Sequence, residues 1–289
     1  MVKPALTIAL LLRSDELIAV CRHWLPSNRY RLVELPGVNK GNLVKVLASQ
    51  REAVDAIVVD PSLLDNRARD DLQHEGLLFP AVVVGDLIGR VDYHSEEVHL
   101  PVDQLEQLGY NVDAAISCFL RHGQKEGRCG SNKPCSENSL VRSETWHLAN
   151  RLQERLGCLG VFYKRDPARF LINLAPDEQC ELLQSLKRTY HNLLISYFHD
   201  PAAANQALES FVNTSFFGNL PITRIVEIHV DLIDEFHKQL SLEGHKDNFL
   251  QDYRLMLLDV VAHLCEMYRR SMPADLPLGL GSSLRHLSS

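Results

Sequence analysis

Pro221–Leu240 (PITRIVEIHVDLIDEFHKQL) and Lys246–Met272 (KDNFLQDYRLMLLDVVAHLCEMYRRSM) decide how the second half of this chain is built. In the later stretch Phe249, Tyr253, Met256, Val260, Leu264 and Met267 recur every three or four residues, which puts them on one helical face and predicts a core stripe. The earlier stretch is apolar on more than one face, through Ile222, Ile225, Val226, Ile228, Val230, Leu232, Ile233 and Phe236. A helix apolar on most sides has to be covered from several directions. A second subunit would supply that cover, and so would the centre of a bundle. Glu227 and Asp231 lie four residues apart and are followed by Asp234 and Glu235. Like charges at such spacings cost about 0.2–0.5 kcal/mol per pair in an isolated helix, so this row reads as a wetted face or as a complement to basic groups on a partner. Neither stretch carries a catalytic triad, a helical metal-binding histidine pair or a phosphate loop.

Towards the N-terminus the helical pattern continues at Asn205–Phe217 and Pro176–Phe198. Asp166-Pro167 supplies an N-cap and a proline suited to a first helical position, which predicts a helix start. Leu140–Leu156 reads as a further helix, interrupted after Gly157 by the extended, aromatic segment Cys158–Lys164. These elements make up an expected all-α domain, residues 140–273, followed by a disordered tail, residues 274–289, rich in Pro, Gly and Ser. Gly279 and Gly281 in that tail are no nucleotide loop, because no strand precedes them and no helix follows.

The first half has a different rhythm. Thr7–Leu12, Arg31–Glu34, Ala56–Val59, Ala81–Val84 and Val98–Leu100 are candidate strands. IALLL, AIVV and AVVV are continuous apolar runs, as in central strands covered on both faces. Helices are expected at Glu16–Leu25, Val38–Ser49, Arg67–Glu75 and Val102–Arg121, with a loop in place of a crossover helix at Gly85–Glu97. Alternating β and α segments of this length imply a doubly wound parallel sheet of the flavodoxin-like type, residues 1–122. Residues 123–139, within RHGQKEGRCGSNKPCSENS, read as a flexible linker. The fold class is therefore α/β plus all-α.

Length suits two domains, and composition limits what they do: 289 residues, 45% hydrophobic, 23% charged, formal net charge −7. That charge argues against a broad nucleic-acid surface. No apolar run reaches membrane-spanning length, and the opening MVKPALTIALLLRSDEL reads as a buried strand, not a secretory signal. Seven scattered cysteines form no disulfide framework and suit a reducing cytoplasm. Cys129 and Cys135, the only neighbouring pair, match no zinc signature, so no metal site is expected.

Asp55-Ala-Ile-Val-Val-Asp60 resembles the third strand of response-regulator receivers, whose terminal aspartate accepts a phosphoryl group. That chemistry needs an acidic pair holding Mg²⁺ after the first strand. Here Arg13-Ser14 follow it, and the acids Asp15-Glu16 read as helical. A receiver's lysine before proline is Leu100-Pro101 here, and its hydroxyl residue after the fourth strand is Gly85. A pseudo-receiver is the expected class, with Asp60 a strand-end or capping residue. Phosphorylation at Asp60 is the competing function.

Together with LQERLGCLGVFYKRDPARFL (Leu152–Leu171), the two long stretches closely resemble the KaiA family of cyanobacterial clock proteins. The resemblance runs through Leu140–Met272 and, more weakly, through Ala81–Leu120. It implies a four-helix-bundle dimerisation domain and a non-enzymatic activator working as a homodimer. Such proteins bind the C-terminal segment of the kinase KaiC and stimulate its autophosphorylation, and KaiB sequesters them in an inhibitory complex. By the match of DYRLMLLDVVAHLCEMYRRS to the family's final helix, Asp252, Arg254, His263, Cys265, Glu266 and Arg269 are implied for the KaiC-peptide groove. ESFVNTSFFGNLPITRIVEIH implies Phe216, Phe217 and Ile225 at the dimer interface. LGCLGVFYKRD implies a linker strand offered to KaiB, through Leu159, Val161, Phe162, Tyr163 and Lys164. No cofactor is required by the resemblance; quinone sensing has been linked to the family, and no residue here specifies a quinone pocket.

Overall fold

Five short runs of branched apolar residues pair into one parallel sheet. The computed structural model describes residues 6–35, 37–85, 93, 94, 97–128, 148, 149, 151, 152, 165–242 and 253–271. Strands β1 (Leu6–Leu11), β2 (Tyr30–Glu34), β3 (Ala56–Val59), β4 (Ala81–Val84) and β5 (Val98–Leu100) lie in the order β2-β1-β3-β4-β5. That is the order of the flavodoxin-like doubly wound sheet. Ile8 pairs with Leu32 on one side and Ala56 on the other, Val58 with Val82, and Val83 with His99. Every residue of β1, β3 and β4 is buried, whereas the edge strand β2 is only partly covered. Continuous apolar runs thus sit in the centre of the sheet, where helices shield both faces.

Local chemistry sets the helix starts. Ser14 caps α1 (Asp15–Trp24) by accepting from Leu17 N, and Asp65 caps α3 (Asn66–His74) by accepting from Ala68 N at 2.8 Å. Helix α2 spans Leu43–Ser49 and begins later than its periodicity suggests. Gly37 has a positive φ of 74°, and the Asn39 side chain accepts from Gly41 N and Asn42 N, so the preceding residues form a turn. After β5 the chain makes a 3-10 turn, Val102–Gln107, kinked at Gln104, and then α4, Leu108–Arg128. Residues 123–128 of the expected linker therefore belong to α4, since Gln124, Lys125, Glu126 and Arg128 all favour helix. The remainder of that linker, the Gly85–Glu97 connection in large part, and the tail from 274 onward lie outside the described residues.

Among the described residues, the second half contains four long helices: α5 (Pro176–Ser196), α6 (Pro201–Phe217), α7 (Ile222–Leu242) and α8 (Tyr253–Ser271). Helix α6 packs on α5 and α8, and α7 on α5 and α8. Tyr253, Met256, Val260 and Leu264 are the buried stripe of α8, as their spacing predicts. Asp166-Pro167 starts only a single 3-10 turn, Pro167–Arg169, although Asp166 does cap it through Ala168 N. A second short turn, Leu171–Asn173, follows before Pro176 opens α5.

The two halves meet over a buried polar contact. Gln107 is fully buried; its Nε2 donates to Ser185 Oγ at 2.9 Å and Thr189 Oγ1 at 2.7 Å, and its Oε1 accepts from Thr214 Oγ1 at 2.7 Å. Ser185 donates onward to Glu106, to which Arg188 also donates. A third attachment comes from Arg151, expected in the helical domain but anchored on the α/β domain. It donates to the Val54 carbonyl at 2.6 Å and to the Arg51 carbonyl, with Glu52 and Asp55 beside it. Replacing Gln107 by Leu takes away the acceptor that the buried Thr214 and Ser210 hydroxyls of α6 share. The Gln107→Leu protein should be about 1–3 kcal/mol less stable in urea unfolding, because a buried polar group without its partner keeps its full desolvation penalty.

Candidate functional site

Surface left uncovered on α7 and α8 marks the candidate site. On α7 the apolar positions divide cleanly. Ile225, Ile228 and Leu232 are buried against the chain's own core, while Ile222, Val226 and Val230, each four residues apart, are 38–49% exposed. On α8 Leu255 and Leu258 are more exposed still, at 57% and 64%. Residues four apart share a helix face, so the α7 trio forms a continuous apolar stripe facing solvent. The acidic row beside it is partly neutralised within the chain: Lys187 pairs with Asp231 at 3.1 Å, and Arg224 with Glu227 at 2.6 Å.

The exposed side of α8 is charged towards its C-terminus. Glu266 accepts two bonds from Arg269 and one from Arg270, each at 2.6 Å, and these hold its carboxyl well below the ordinary range, at about 2. His263 Nδ1 lies 3.0 Å from Asp259 one turn earlier, and Tyr197, just after α5, donates to the same carboxylate. At the other end of α8, Tyr253 packs edge-on against Phe198, in the turn after α5, and Phe236 of α7. Helix α8 thus presents apolar groups near its start and charged groups towards its end, and α7 presents an apolar stripe. That surface suits recognition of a segment of mixed polarity.

Most of the residues implied for the peptide groove lie along α8. Arg254, His263, Cys265 and Arg269 are exposed on α8 and Glu266 is half-buried beside them; Asp252 lies outside the described residues. The three residues implied for the dimer interface lie within the chain's own core. Phe216, Phe217 and Ile225 are all at most 1% exposed within a single chain. Phe216 packs edge-on against Phe217 and against Tyr268 of α8, so this pair builds the internal core. Ile222, Val226 and Val230, by contrast, stay exposed, because α7 carries more apolar positions than one core face can bury. Leu159, Val161, Phe162, Tyr163 and Lys164 lie outside the described residues.

In the α/β domain Asp60 sits at the end of β3 and accepts from Ser62 N at 2.8 Å, capping the 3-10 turn Pro61–Leu63. Asp15 and Glu16 occupy the first turn of α1, behind the Ser14 cap. Gly85, at φ 149°, ends β4 against Pro61: a Cβ there would stand 2.9 Å from Pro61 Cγ. A hydroxyl-bearing residue does not fit that position. Among the described residues no group of three or more His, Cys, Asp or Glu is disposed to hold a metal ion, and no helix is long and apolar enough to cross a membrane.

Comparison with known proteins covers both halves. Residues 6–123 match the model described as "Circadian clock protein KaiA, N-terminal domain", and residues 154–275 match "KaiA C-terminal domain". A circadian clock oscillator protein KaiA from Parasynechococcus marenigrum is 60% identical over 99% of this chain and 95% of its own length. Its counterpart from Synechococcus elongatus is 40% identical over 93% and 98%. The solved C-terminal domain of KaiA from Thermosynechococcus elongatus BP-1 is 43% identical, covers 37% of this chain and 100% of its own, and superposes with a TM-score of 0.32.

One titratable group of α7 is buried on its core side. His229 is buried beside Tyr190, whose phenol oxygen lies 3.0 Å from Nδ1, and burial lowers the imidazole pKa. A His with a folded pKa below its unfolded value of about 6.5 stabilises the fold fully above that value and loses this contribution as pH falls through it. Stability measured by urea unfolding should therefore fall between pH 7 and 5 more steeply in the wild type than in His229→Gln. Equal slopes would show that this histidine is not buried neutral.

Proposed function

We propose that this chain, which belongs to the KaiA family, is a non-enzymatic regulator that binds the C-terminal segment of KaiC as a homodimer. Binding stimulates KaiC autophosphorylation, and KaiB ends the stimulation by sequestering the regulator. The observation that carries this reading is the uncovered face of α7 and α8, in a chain whose relatives are named as clock oscillator proteins along nearly its whole length. Ile222, Val226 and Val230 supply an apolar seam for a second copy of the same helix, as a two-fold interface requires. The charged row of His263, Glu266 and Arg269, next to Leu255 and Leu258, offers polar and apolar contacts to an incoming peptide.

Mechanistically the chain contributes differential binding and no bond chemistry. KaiC's tail segment exchanges between withdrawn and extended arrangements, and a protein that binds the extended one shifts the balance by the ratio of its affinities for the two. In the α/β domain the Asp60 carboxylate serves as a turn cap and the acids Asp15 and Glu16 belong to a helix. We read this domain as a pseudo-receiver whose influence runs through packing, in a cytoplasmic protein without a required cofactor.

The test is a time course of KaiC phosphorylation with ATP, with and without this protein, using intact KaiC and KaiC lacking its C-terminal tail. Phosphorylation should rise only when both the protein and the tail are present. Val226→Asp, which places a charge in the α7 seam, should remain folded, sediment as a monomer and lose the stimulation. Stimulation that survives deletion of the tail would contradict the proposal.

A further inference from the structure

Residues Arg165–Leu171 are held by both domains in turn. Arg165 faces the helical half: its guanidinium lies 4.9 Å from the Phe216 ring centre and 5.1 Å from that of Tyr268, and it donates to Asn219 Oδ1 at 2.9 Å. Its neighbour Asp166 faces the α/β half, accepting from Arg29 at 2.5 Å. Arg169 faces the same way, donating to Asp113 Oδ2, Tyr30 Oη and the Gly109 carbonyl, each at 3.0 Å, and stacking over Tyr110. Leu171 N then returns to the helical half and donates to the Gly218 carbonyl at 2.8 Å.

Tyr268, one wall of the Arg165 site, is on α8 between Glu266 and Arg269. The segment is also stiff: Pro167 fixes its own φ, and Asp166 caps the turn that contains it. Adjacent Cα atoms are about 3.8 Å apart, so a shift of Asp166 has to move Arg165. Gly109 leaves room for the Arg169 guanidinium, whose Cζ would stand 2.9 Å from a Cβ at that position. The contacts on the α/β side thus require close approach and charge pairing, and the contacts on the helical side are a cation within an aromatic cluster.

We propose that Arg165–Leu171 is a coupling strap by which the α/β domain sets the position of the C-terminal half of α8. Engaged, Arg29 and Asp113 hold the strap and Arg165 braces Tyr268 and Phe216. Released, Arg165 leaves the aromatic cluster and the end of α8 loosens. Its consequence for partner binding rests on the reading of α8 as the peptide face given above.

Hydrogen exchange on the full-length protein tests this. Asp113→Asn removes the carboxylate that both arginines share. Asp166→Asn is the milder variant, since an amide oxygen still caps Ala168 N while the charge opposite Arg29 is lost. Arg165→Ala removes the brace itself. In all three, amides of Met267–Ser271 should exchange at least about fivefold faster, the lower end of ordinary coupling between sites. The Arg165→Ala/Asp166→Asn double variant should be no faster than Arg165→Ala alone, because both act through one path. Unchanged exchange at Met267–Ser271 while residues 165–171 loosen, or additive effects in the double variant, would overturn the strap. Affinity for the KaiC tail peptide, measured on the same variants, separates the two readings. Parallel weakening supports both, whereas faster α8 exchange with unchanged affinity keeps the coupling and overturns α8 as the peptide face.

Discussion

Two arginines from distant parts of the chain share one buried carboxylate, and the joining of the two domains depends on it. Asp113 on α4 accepts from Arg29, just before β2, and from Arg169, just before α5. A buried charge is costly unless it is paired and hydrogen-bonded. Burial disfavours the Arg29 guanidinium, yet Asp113, Tyr30 and Asp166 together hold its pKa above the ordinary value. The same surroundings push the Tyr30 phenol up to about 12, with burial as the main cause. None of these groups is satisfied by its own element. Each needs the strand edge, α4 and the strap in register at once, so the cluster specifies one arrangement of the halves.

The rest of the contact follows the same chemistry. Gln107, Ser185, Thr189 and Thr214 exchange hydrogen bonds where an ordinary core would hold aliphatic carbon. Polar contacts of this kind typify domain interfaces more than domain cores. Apolar burial, by contrast, is concentrated inside each half: the β1–β3–β4 strands in one, and Tyr190, Phe211, Phe216 and Phe217 in the other. Apolar surface that neither half covers remains on α7 and α8, and that is where a second copy and a peptide partner are proposed to dock.

Much of this was legible in the residues. IALLL, AIVV and AVVV are buried on both faces, and their pattern alone gave the parallel sheet, with strand limits met to within one residue. Met256, Val260 and Leu264 carried the α8 stripe in their spacing. Legibility failed where competing local and distant forces decide. Asp166-Pro167 is a sound helix start, but Leu171 N bonds to Gly218 across the chain, and the helix stops after one turn. Phe216 and Phe217 carry nothing in the sequence that separates a packed core from an interface, and within the chain they are buried. The Asp113 cluster gave no signal at all, because its members are separated by 84 and 56 positions and only the fold unites them.

The central claim is that the α/β and helical halves behave as one unit through this polar contact. Stepping the full-length protein through urea and following hydrogen exchange separately in β1, β3 and β4 and in α5 and α6 addresses it most directly. Protection in both halves should be lost together, at one denaturant concentration. Loss of the sheet's protection at a concentration where α5 and α6 remain fully protected would contradict the claim.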